Sequence, residues 1–372
     1  MLKIFLWLRY LRKRKIVLLS IAAVAITTAL LIVVSSLFNG FIDAFEQSAV
    51  DTMGDIVISP GPRFGNYPLF VEELKASGVA KAVTPTLAWQ GLLYLGPGNV
   101  RAVMVLGIEP GSRAEVTAFK KALRKQGQLP GEPGFEIPGL PGEAAGFLGA
   151  GVIAAPDEKT DEYDFETIEK TIGTKVTLTT GAFSGSQGQG GSENTIKRRL
   201  LTFTVRDIVY SGIYEIDKST VYVAIEQLQQ KIYPDDKGPV ATQLLIKTAD
   251  GVPVGVAMAR VWGMWMDFVD KNLDGDMRYL GSDAVMTSRQ MQSQYIAELE
   301  KQKWMLLLIF GVVGLSVILL ISCILYMIVI TRQKDIAINK ELRRCERGGA
   351  VDLYRFWRLY RPDRVLCRAC TR

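Results

Sequence analysis

The sequence predicts a membrane protein in which two transmembrane α-helices bracket one large α+β domain. Two apolar runs without a charged residue, 16–38 and 304–330, contain 23 and 27 residues. As helices they would extend about 34 and 40 Å, enough to cross a hydrocarbon core of about 30 Å. The 265 residues between them are mostly polar. This spacing predicts a single domain outside the membrane, residues 39–303, tethered at both ends.

The distribution of charge predicts the orientation of the chain. Residues 1–15 carry six bases and no acid, residues 331–372 carry 12 bases and five acids, and residues 39–303 carry 26 bases and 33 acids. Segments rich in lysine and arginine remain on the cytoplasmic side. We therefore expect both termini to be cytoplasmic and the acidic domain to lie outside. The net charge of +6 is a topology signal and indicates no nucleic-acid partner.

Both ends of the outer domain predict helical stalks. The apolar positions of residues 41–53 allow the first span to continue as a helix beyond the membrane. Residues 285–303 lack glycine and proline and are rich in helix formers, so they should run into the second span. Such stalks suit the transmission of motion, and a passive tether is the alternative. A cleaved signal peptide is the alternative for 16–38, but the run exceeds a usual signal core and no small-x-small site closes it.

Alternating strand and helix patterns predict that residues 39–303 form an α+β domain, with two lobes as one arrangement. Predicted strands are 55–59, 93–94 with flanking residues, 100–108, 175–180, 201–208, 220–225 and 243–247. Predicted helices are 69–77, 113–126, 164–172, 225–232 and 252–270. Two glycine- and proline-rich stretches, 128–149 and 181–192, are predicted surface loops.

The composition argues against an enzyme. The chain has no histidine and no GxxxxGK[ST] phosphate loop, which removes imidazole bases and ATP hydrolysis by the chain itself. The acidic residues between 157 and 166 lack an EF-hand pattern and fit a solvated loop better than a cation site. All four cysteines lie in or after the second span, and the CxxC pair at 367 and 370 has no second ligand pair. We predict no catalytic residue, no metal site and no cofactor.

Small residues in the two spans predict helix packing. Ala25 and Ala29 have small-xxx-small spacing, and Gly311 and Gly314 cluster on the second span. Small side chains allow helices to approach closely. Ordinary transmembrane composition, in which glycine and alanine are frequent, is the alternative interpretation.

Four stretches along the chain carry a family resemblance. They are 8–12 with 38–41, 107–110 (Gly-Ile-Glu-Pro), 203–205 with 211–217 (Ser-Gly-Ile-Tyr-Glu-Ile-Asp) and 221–223, and 332–338 (Arg-Gln-Lys-Asp-Ile-Ala-Ile). They resemble the permease subunits of lipoprotein-releasing ABC transporters of the LolC/LolE type, within the wider FtsX/MacB-like permease class. The motif positions in the outer domain are Gly107, Pro110, Gly212, Tyr214, Glu215, Asp217 and Tyr222.

The resemblance implies a MacB-like periplasmic domain on a permease of the bacterial inner membrane. It implies four partners: a cytoplasmic ABC ATPase subunit, a second permease copy or paralogue, a lipoprotein substrate and a periplasmic carrier. The ATPase would contact the segment after the second span, by position at Lys334, Asp335, Ile336, Lys340 and Leu342. The apolar faces of the first span and of 41–53 would line the substrate side.

The match to the family ends after about Lys340. Arg343-Arg344-Cys345 stands where the family has Gly-Ala-Ser, and no further apolar run of spanning length follows. A reading-frame change that removed two further transmembrane helices is our expectation, and the missing helices should lie in another frame of the encoding DNA. A basic amphipathic segment lying on anionic lipid is the alternative for the arginine-rich tail. We expect the 372-residue chain to be inactive alone.

Other functions remain open at this point. A two-pass receptor or scaffold with a ligand-binding outer domain explains two spans without invoking loss. A MacB-like efflux permease is a related alternative, which differs from a lipoprotein-releasing permease in its substrate. The size of the outer domain argues against an FtsX-like role.

Overall fold

The computed structural model describes residues 15–61, 63–137, 139, 142–184, 195–234, 238–273, 279, 281 and 283–341. The chain divides into two compact units. The sheet unit is Phe38–Glu300, and the helix unit consists of the segments Met1–Leu37 and Lys301–Arg372. The predicted segment 1–14 and the arginine-rich tail from residue 342 onward lie outside the described residues.

Helices and strands alternate along the described part of the chain. The helices are α1 (Lys15–Met53), α2 (Tyr67–Ala76), α3 (Pro110–Val116), α4 (Phe119–Ala122), α5 (Ala150–Ile153), α6 (Phe165–Glu169), α7 (Tyr214–Ser219), α8 (Ile225–Ile232), α9 (Val254–Asn272), α10 (Ser288–Met291) and α11 (Ser293–Glu341), with a 3-10 turn at Gln126–Gln128. The strands are β1 (Ile56–Ile58), β2 (Ala80–Tyr94), β3 (Val100–Ile108), β4 (Ala145–Gly149), β5 (Lys175–Ser184), β6 (Thr195–Val209), β7 (Thr220–Ala224), β8 (Gln243–Thr248) and β9 (Val285–Thr287).

The two long helices are the candidate membrane spans. The stretches Ile21–Met53 and Ser293–Met327 are long and apolar enough to cross a bilayer. None of the most apolar 18-residue window of either helix is buried, unlike the central helix of a soluble protein. Both predicted apolar runs therefore form helices, and α1 continues without a break through the predicted stalk 41–53.

Six strands of the sheet unit form a closed ring. β2 pairs with β3, β3 with β7, β7 with β4, β4 with β6, β6 with β5, and β5 returns to β2. The interior is filled by alternate apolar side chains of these strands, such as Leu178 and Phe203. Helix α8 packs on the ring beside β3, because Gly107 leaves room there: a Cβ atom would lie 3.1 Å from the Cα of Ile225.

The first half of β2 extends the sheet in a second direction. Here β2 pairs with β8, β8 with β1, and β1 with β9, all antiparallel. Helices α2 and α9 cover this part through an aromatic cluster in which Phe70 and Phe64 meet Trp265 edge to face, at centroid distances of 5.2 and 5.4 Å. The domain is thus a mixed α+β fold whose two largest hydrophobic cores share β2.

The predicted helix 113–126 is wrong in its length. The chain leaves the helical conformation at Thr117, which is extended at φ −127° and ψ 170°. Its side-chain hydroxyl donates to the carbonyl of Arg113 at 2.7 Å and accepts from the backbone N–H of Phe119. A threonine that bonds to nearby backbone in this way competes with helix hydrogen bonds.

The predicted stalk 285–303 is not one continuous helix. Residues Val285–Thr287 pair with β1 as a strand, and Thr287 then starts a short helix through a capping box with Gln290. The long helix begins only at Ser293. The predicted loop 181–192 likewise begins as the end of β5, and the predicted loop 128–149 ends in β4.

The ring predicts very different costs for two leucine substitutions in neighbouring strands. Leu178 of β5 is fully buried, whereas Leu200 of β6 is 51% exposed. Leu178→Ala should lower the free energy of unfolding by about 2–5 kcal/mol, and Leu200→Ala by less than about 0.5 kcal/mol. Urea titrations of the detergent-solubilised chain measure both. Equal losses of unfolding free energy for the two variants would show that Leu178 does not lie in the interior of the ring.

Candidate coupling site at the end of the first long helix

A glycine turns the chain from α1 directly into the sheet. Gly54 has φ +76°, and its N–H donates to the carbonyl of Val50 at 2.8 Å. A Cβ atom here would lie 2.9 Å from the carbonyl oxygen of Ile246 and 2.9 Å from Cγ1 of Val116. Both the left-handed backbone and the close approach require glycine. Only two residues therefore separate the last helical residue of α1 from β1.

A buried arginine holds the end of α1. Arg113 is 5% exposed, and its guanidinium donates from Nη2 to the carbonyl of Thr52 at 3.2 Å and from Nη1 to Oγ1 of Thr86 at 2.9 Å. No carboxylate in the described part of the chain forms an ion pair with it. Burial lowers the pKa of Arg113, but a guanidinium stays charged at neutral pH. Its charge lies at the negative end of the helix dipole, which favours a cation there.

A buried carboxylate anchors the residue after the glycine. The Oδ2 atom of Asp55 accepts from the N–H and the hydroxyl of Thr248 at 2.9 and 2.8 Å, and Oδ1 pairs with Nζ of Lys247 at 3.0 Å. Burial opposes ionisation, but these hydrogen bonds outweigh it, so the pKa of Asp55 lies below its ordinary value. The start of β1 is thereby tied to β8.

The returning chain is bound at the same place. The Ser288 hydroxyl donates to the carbonyl of Gly54, and its N–H donates to the carbonyl of Asp55 at 3.2 Å. Beyond this point, Arg289 pairs with Glu46 of α1 at 3.0 Å. The backbone after α1 and the backbone after β9 are thus hydrogen-bonded to each other at one site within the sheet unit. We define the coupling site as Thr52, Gly54, Asp55, Thr86, Arg113 and Ser288.

A cavity of about 250 Å³ adjoins this site. Its lining includes Ser48, Asp51, Thr52, Arg113, Lys121 and Tyr222. Burial raises the pKa of Tyr222 to about 12, so its phenol remains protonated at neutral pH. Among the residues the structure describes, no three histidine, cysteine or acidic side chains gather in a way that could hold a metal ion.

The motif residues of the second and third stretches lie around this site. β3 carries Gly107 and runs parallel to β7, which carries Tyr222. Directly after β3, Pro110 stands in the first turn of α3 and starts the helix that bears Arg113. These motif residues build the scaffold that presents the arginine to the end of α1.

The remaining motif residues form a turn before β7. The Asp217 carboxylate accepts from the N–H and the hydroxyl of Ser211, both at 2.8 Å, and from the N–H of Gly212 at 3.0 Å. Burial raises the pKa of Asp217 despite these bonds. Gly212 is left-handed at φ +79°, and Tyr214 and Glu215 are exposed at the start of α7. Asp217 and Gly212 therefore shape the turn, while Tyr214 and Glu215 face solvent.

Two groups of predicted site residues do not belong to the sheet unit. Lys334, Asp335, Ile336 and Lys340 fall on the last part of α11, where only the backbone is described, and Leu342 lies outside the described residues. In the helix unit, a Cβ atom at Gly314 would contact Thr27 at 3.5 Å, whereas Ala25, Ala29 and Gly311 are exposed. Their roles stay predictions.

Sequence reasoning missed the central residues of the site. Arg113 stood at the start of a predicted amphipathic helix, where an arginine usually faces solvent. Thr86 and Ser288 carry no motif. The available signal was the glycine at the junction of an apolar helix and a strand, since Gly54-Asp55 separates the two periodic patterns.

Comparison with known proteins agrees with the resemblance. The chain is 27% identical to the lipoprotein-releasing system transmembrane protein LolC of Neisseria meningitidis over 263 residues. The chain resembles LolC. This match takes in 68% of the present chain and 56% of LolC, so the chain spans about half the length of that relative. No protein-family model matches the chain.

Two solved structures are similar to part of the chain at low identity. The periplasmic region of MacB from Actinobacillus actinomycetemcomitans covers 66% of this chain and 94% of its own length, at 14% identity and a TM-score of 0.37. The extracellular domain of the ABC-type transporter YknZ from Gram-positive bacteria covers 63% and 98%, at 11% identity and a TM-score of 0.34. The predicted LolC/LolE-type resemblance is confirmed by the LolC match.

The lowered pKa of Asp55 predicts a pH-dependent stability. A depressed pKa in the folded chain contributes stability above the ordinary value of 3.8, and this contribution is lost as the pH falls through the folded-state value. Asp55→Asn should therefore destabilise the chain at neutral pH, and the difference from the unaltered chain should shrink below pH 3.8.

Thermal unfolding at several pH values measures this difference. The control is Asp250→Asn, because the ion pair of Asp250 with Lys81 is solvent-exposed and should contribute little at any pH. If the difference in stability between Asp55→Asn and the unaltered chain stays constant from neutral to acidic pH, the lowered pKa of Asp55 is contradicted.

Proposed function

We propose that the chain is a transmembrane permease subunit of an ABC transporter, which couples ATP hydrolysis in a partner subunit to the release of lipoproteins from the bacterial inner membrane. The similarity to LolC is the observation that carries this proposal. The two long apolar helices and the mixed α+β unit agree with it. In this proposal the chain itself is not an enzyme.

In this proposal the coupling site transmits a displacement of α1 to the β-strands of the sheet unit. α1 is one helix of 39 residues, about 58 Å long, and it ends within the hydrogen-bonding network of the sheet unit. A helix that ends in a flexible linker would lose its displacement to the linker. Here Gly54 leaves no such linker, and Arg113 binds the last turn of the helix to β2. A shift of α1 would therefore reach the sheet unit directly.

Lipoprotein release needs an energy source. Drawing an acyl chain out of a bilayer costs about 0.8 kcal/mol per CH₂, so a protein with several acyl chains does not leave spontaneously. We propose that the lipid-facing side of α1 receives the acyl chains and that the sheet unit receives the protein part in the periplasm, next to a periplasmic carrier. Both termini are cytoplasmic in this arrangement.

The ATPase subunit is the partner in the cytoplasm. We propose that it binds the end of α11 through Lys334, Asp335, Ile336 and Lys340, with Leu342 beyond. The basic excess on this side supports the orientation, since 12 bases and five acids follow the second apolar run. A second permease copy or a paralogue completes the membrane part.

Capture of the ATPase from native membranes tests the proposal. The tagged full chain, solubilised in mild detergent, should bring an ATP-binding cassette subunit with it and show ATPase activity. Replacing Lys334, Asp335, Ile336 and Lys340 together by alanine should lower the captured ATPase at least tenfold. The matched control replaces Glu298, Glu300, Lys301 and Lys303, four residues elsewhere on the same helix, and should leave capture unchanged.

A photoreactive triacylated peptide in proteoliposomes then tests the substrate. It should cross-link to α1 more strongly than the same peptide without acyl chains. Equal labelling by both peptides would favour MacB-like efflux. Stable purification of the chain with no ATPase subunit would contradict the permease and favour a two-pass receptor.

A further inference from the structure

Helix α9 carries an apolar face that no other described element covers. One side of the helix packs into the core through residues such as Val261 and Trp265, which are fully buried. The opposite side is exposed and follows helical spacing. It consists of Val256, Ala259, Arg260, Gly263, Met266, Asp267 and Asp270, which we call the α9 face. Val256 and Met266 are 46% and 40% exposed, and with Ala259 and Gly263 they are the apolar members of a face that also carries Arg260, Asp267 and Asp270.

The glycine at the centre of this face is not required by the described part of the chain. Gly263 lies in the middle of a 19-residue helix, where glycine is less favourable than alanine. Its φ is not positive, and a Cβ atom there would meet nothing within 4 Å. The missing Cβ leaves space in which a neighbouring molecule can approach the helix closely. With Ala259 beside it, Gly263 forms a shallow depression in the face.

The charges on the face match a second copy of the same face. Arg260 and Asp267 lie on either side of Gly263, separated along the helix by seven residues. When two copies of α9 pair antiparallel about a two-fold axis between Gly263 and Met264, Arg260 of each copy lies opposite Asp267 of the other. Neither residue forms an ion pair with another residue that the structure describes. Two equivalent ion pairs would then flank the glycine.

We propose that the α9 face binds the α9 face of a second copy of this chain. The partner is therefore an identical permease copy, which rests on the proposed function because that function requires a second permease. Helices packed 8–10 Å apart, with Cα atoms about 2.3 Å from each axis, bring facing Cα atoms to within about 3–5 Å. The residue next to the two-fold axis must therefore have a small side chain. The contact is small, but confinement of both copies to one membrane raises their effective concentration.

Disulfide trapping at the two-fold axis tests the pairing. In a full-length chain whose four cysteines, at 323, 345, 367 and 370, are replaced by serine, Gly263→Cys should form a disulfide-linked dimer in native membranes on mild oxidation. The matched control is Glu72→Cys on α2, an exposed position on the neighbouring helix. Trapping at 263 should be at least tenfold faster than at 72. Equal rates at the two positions would overturn the proposal.

A charge exchange separates the proposed pairing from misfolding and from a paralogous partner. In the Gly263→Cys chain, Arg260→Asp alone or Asp267→Arg alone should reduce trapping at least tenfold, since each places like charges opposite one another. Co-expression of the two variants, with different tags, should restore a mixed dimer, because every cross-axis pair is then of opposite charge. Failure of this restoration, or trapping only to a different chain, would overturn the proposal. ATPase capture, measured on the same membranes, reports on the permease independently.

Discussion

The hydrogen bonds of the Arg113 guanidinium connect the carbonyl of Thr52, at the end of α1, to the side chain of Thr86 in β2. A cation without a carboxylate partner is costly to bury, and here the helix dipole and two oxygen acceptors compensate for the lost water. Gly54 and Asp55 complete the arrangement by turning the chain without a linker. The position of the last turn of α1 against β2 is therefore determined by side-chain chemistry and not by chain connectivity alone.

The turn at Gly54 and Asp55 also explains the path of the chain after β9. Ser288 binds the backbone of Gly54 and Asp55, so the chain after β9 lies against the end of α1. β9 and the short helix after it interrupt the expected straight stalk for this reason, since this segment must pair with β1 before α11 begins.

The helices and strands with a regular hydrophobic pattern were predictable from the sequence, and the contacts between distant segments were not. The two apolar runs, β3 and α8 follow from periodicity and length, because each satisfies its pattern locally. β4 was missed because it is Ala-Gly-Phe-Leu-Gly, with no β-branched residue, and its place between β6 and β7 depends on close contact. A Cβ atom at Gly146 would lie 2.7 Å from the ring of Phe203 and 2.8 Å from the carbonyl oxygen of Tyr222.

The residues of the candidate site also fall into two groups, those that the sequence motifs indicated and those that they did not. The motif stretches include Pro110, which starts the helix that bears the arginine, and Tyr222, which lines the cavity beside it, but not the arginine itself. Nothing in the sequence distinguishes buried Arg113 from an exposed arginine, because its partners, Thr52 and Thr86, come from separate segments.

Amide hydrogen exchange in Arg113→Met tests the role of this arginine most directly. Methionine keeps the volume of the stem and removes the donors, and a hydrogen bond from a charged group contributes about 1.5–3 kcal/mol. The account predicts exchange at least tenfold faster at residues 50–55, with α8, residues 225–232, unchanged as the control for folding. Unchanged protection at 50–55, in a variant that folds, would contradict the claim that Arg113 holds the end of α1.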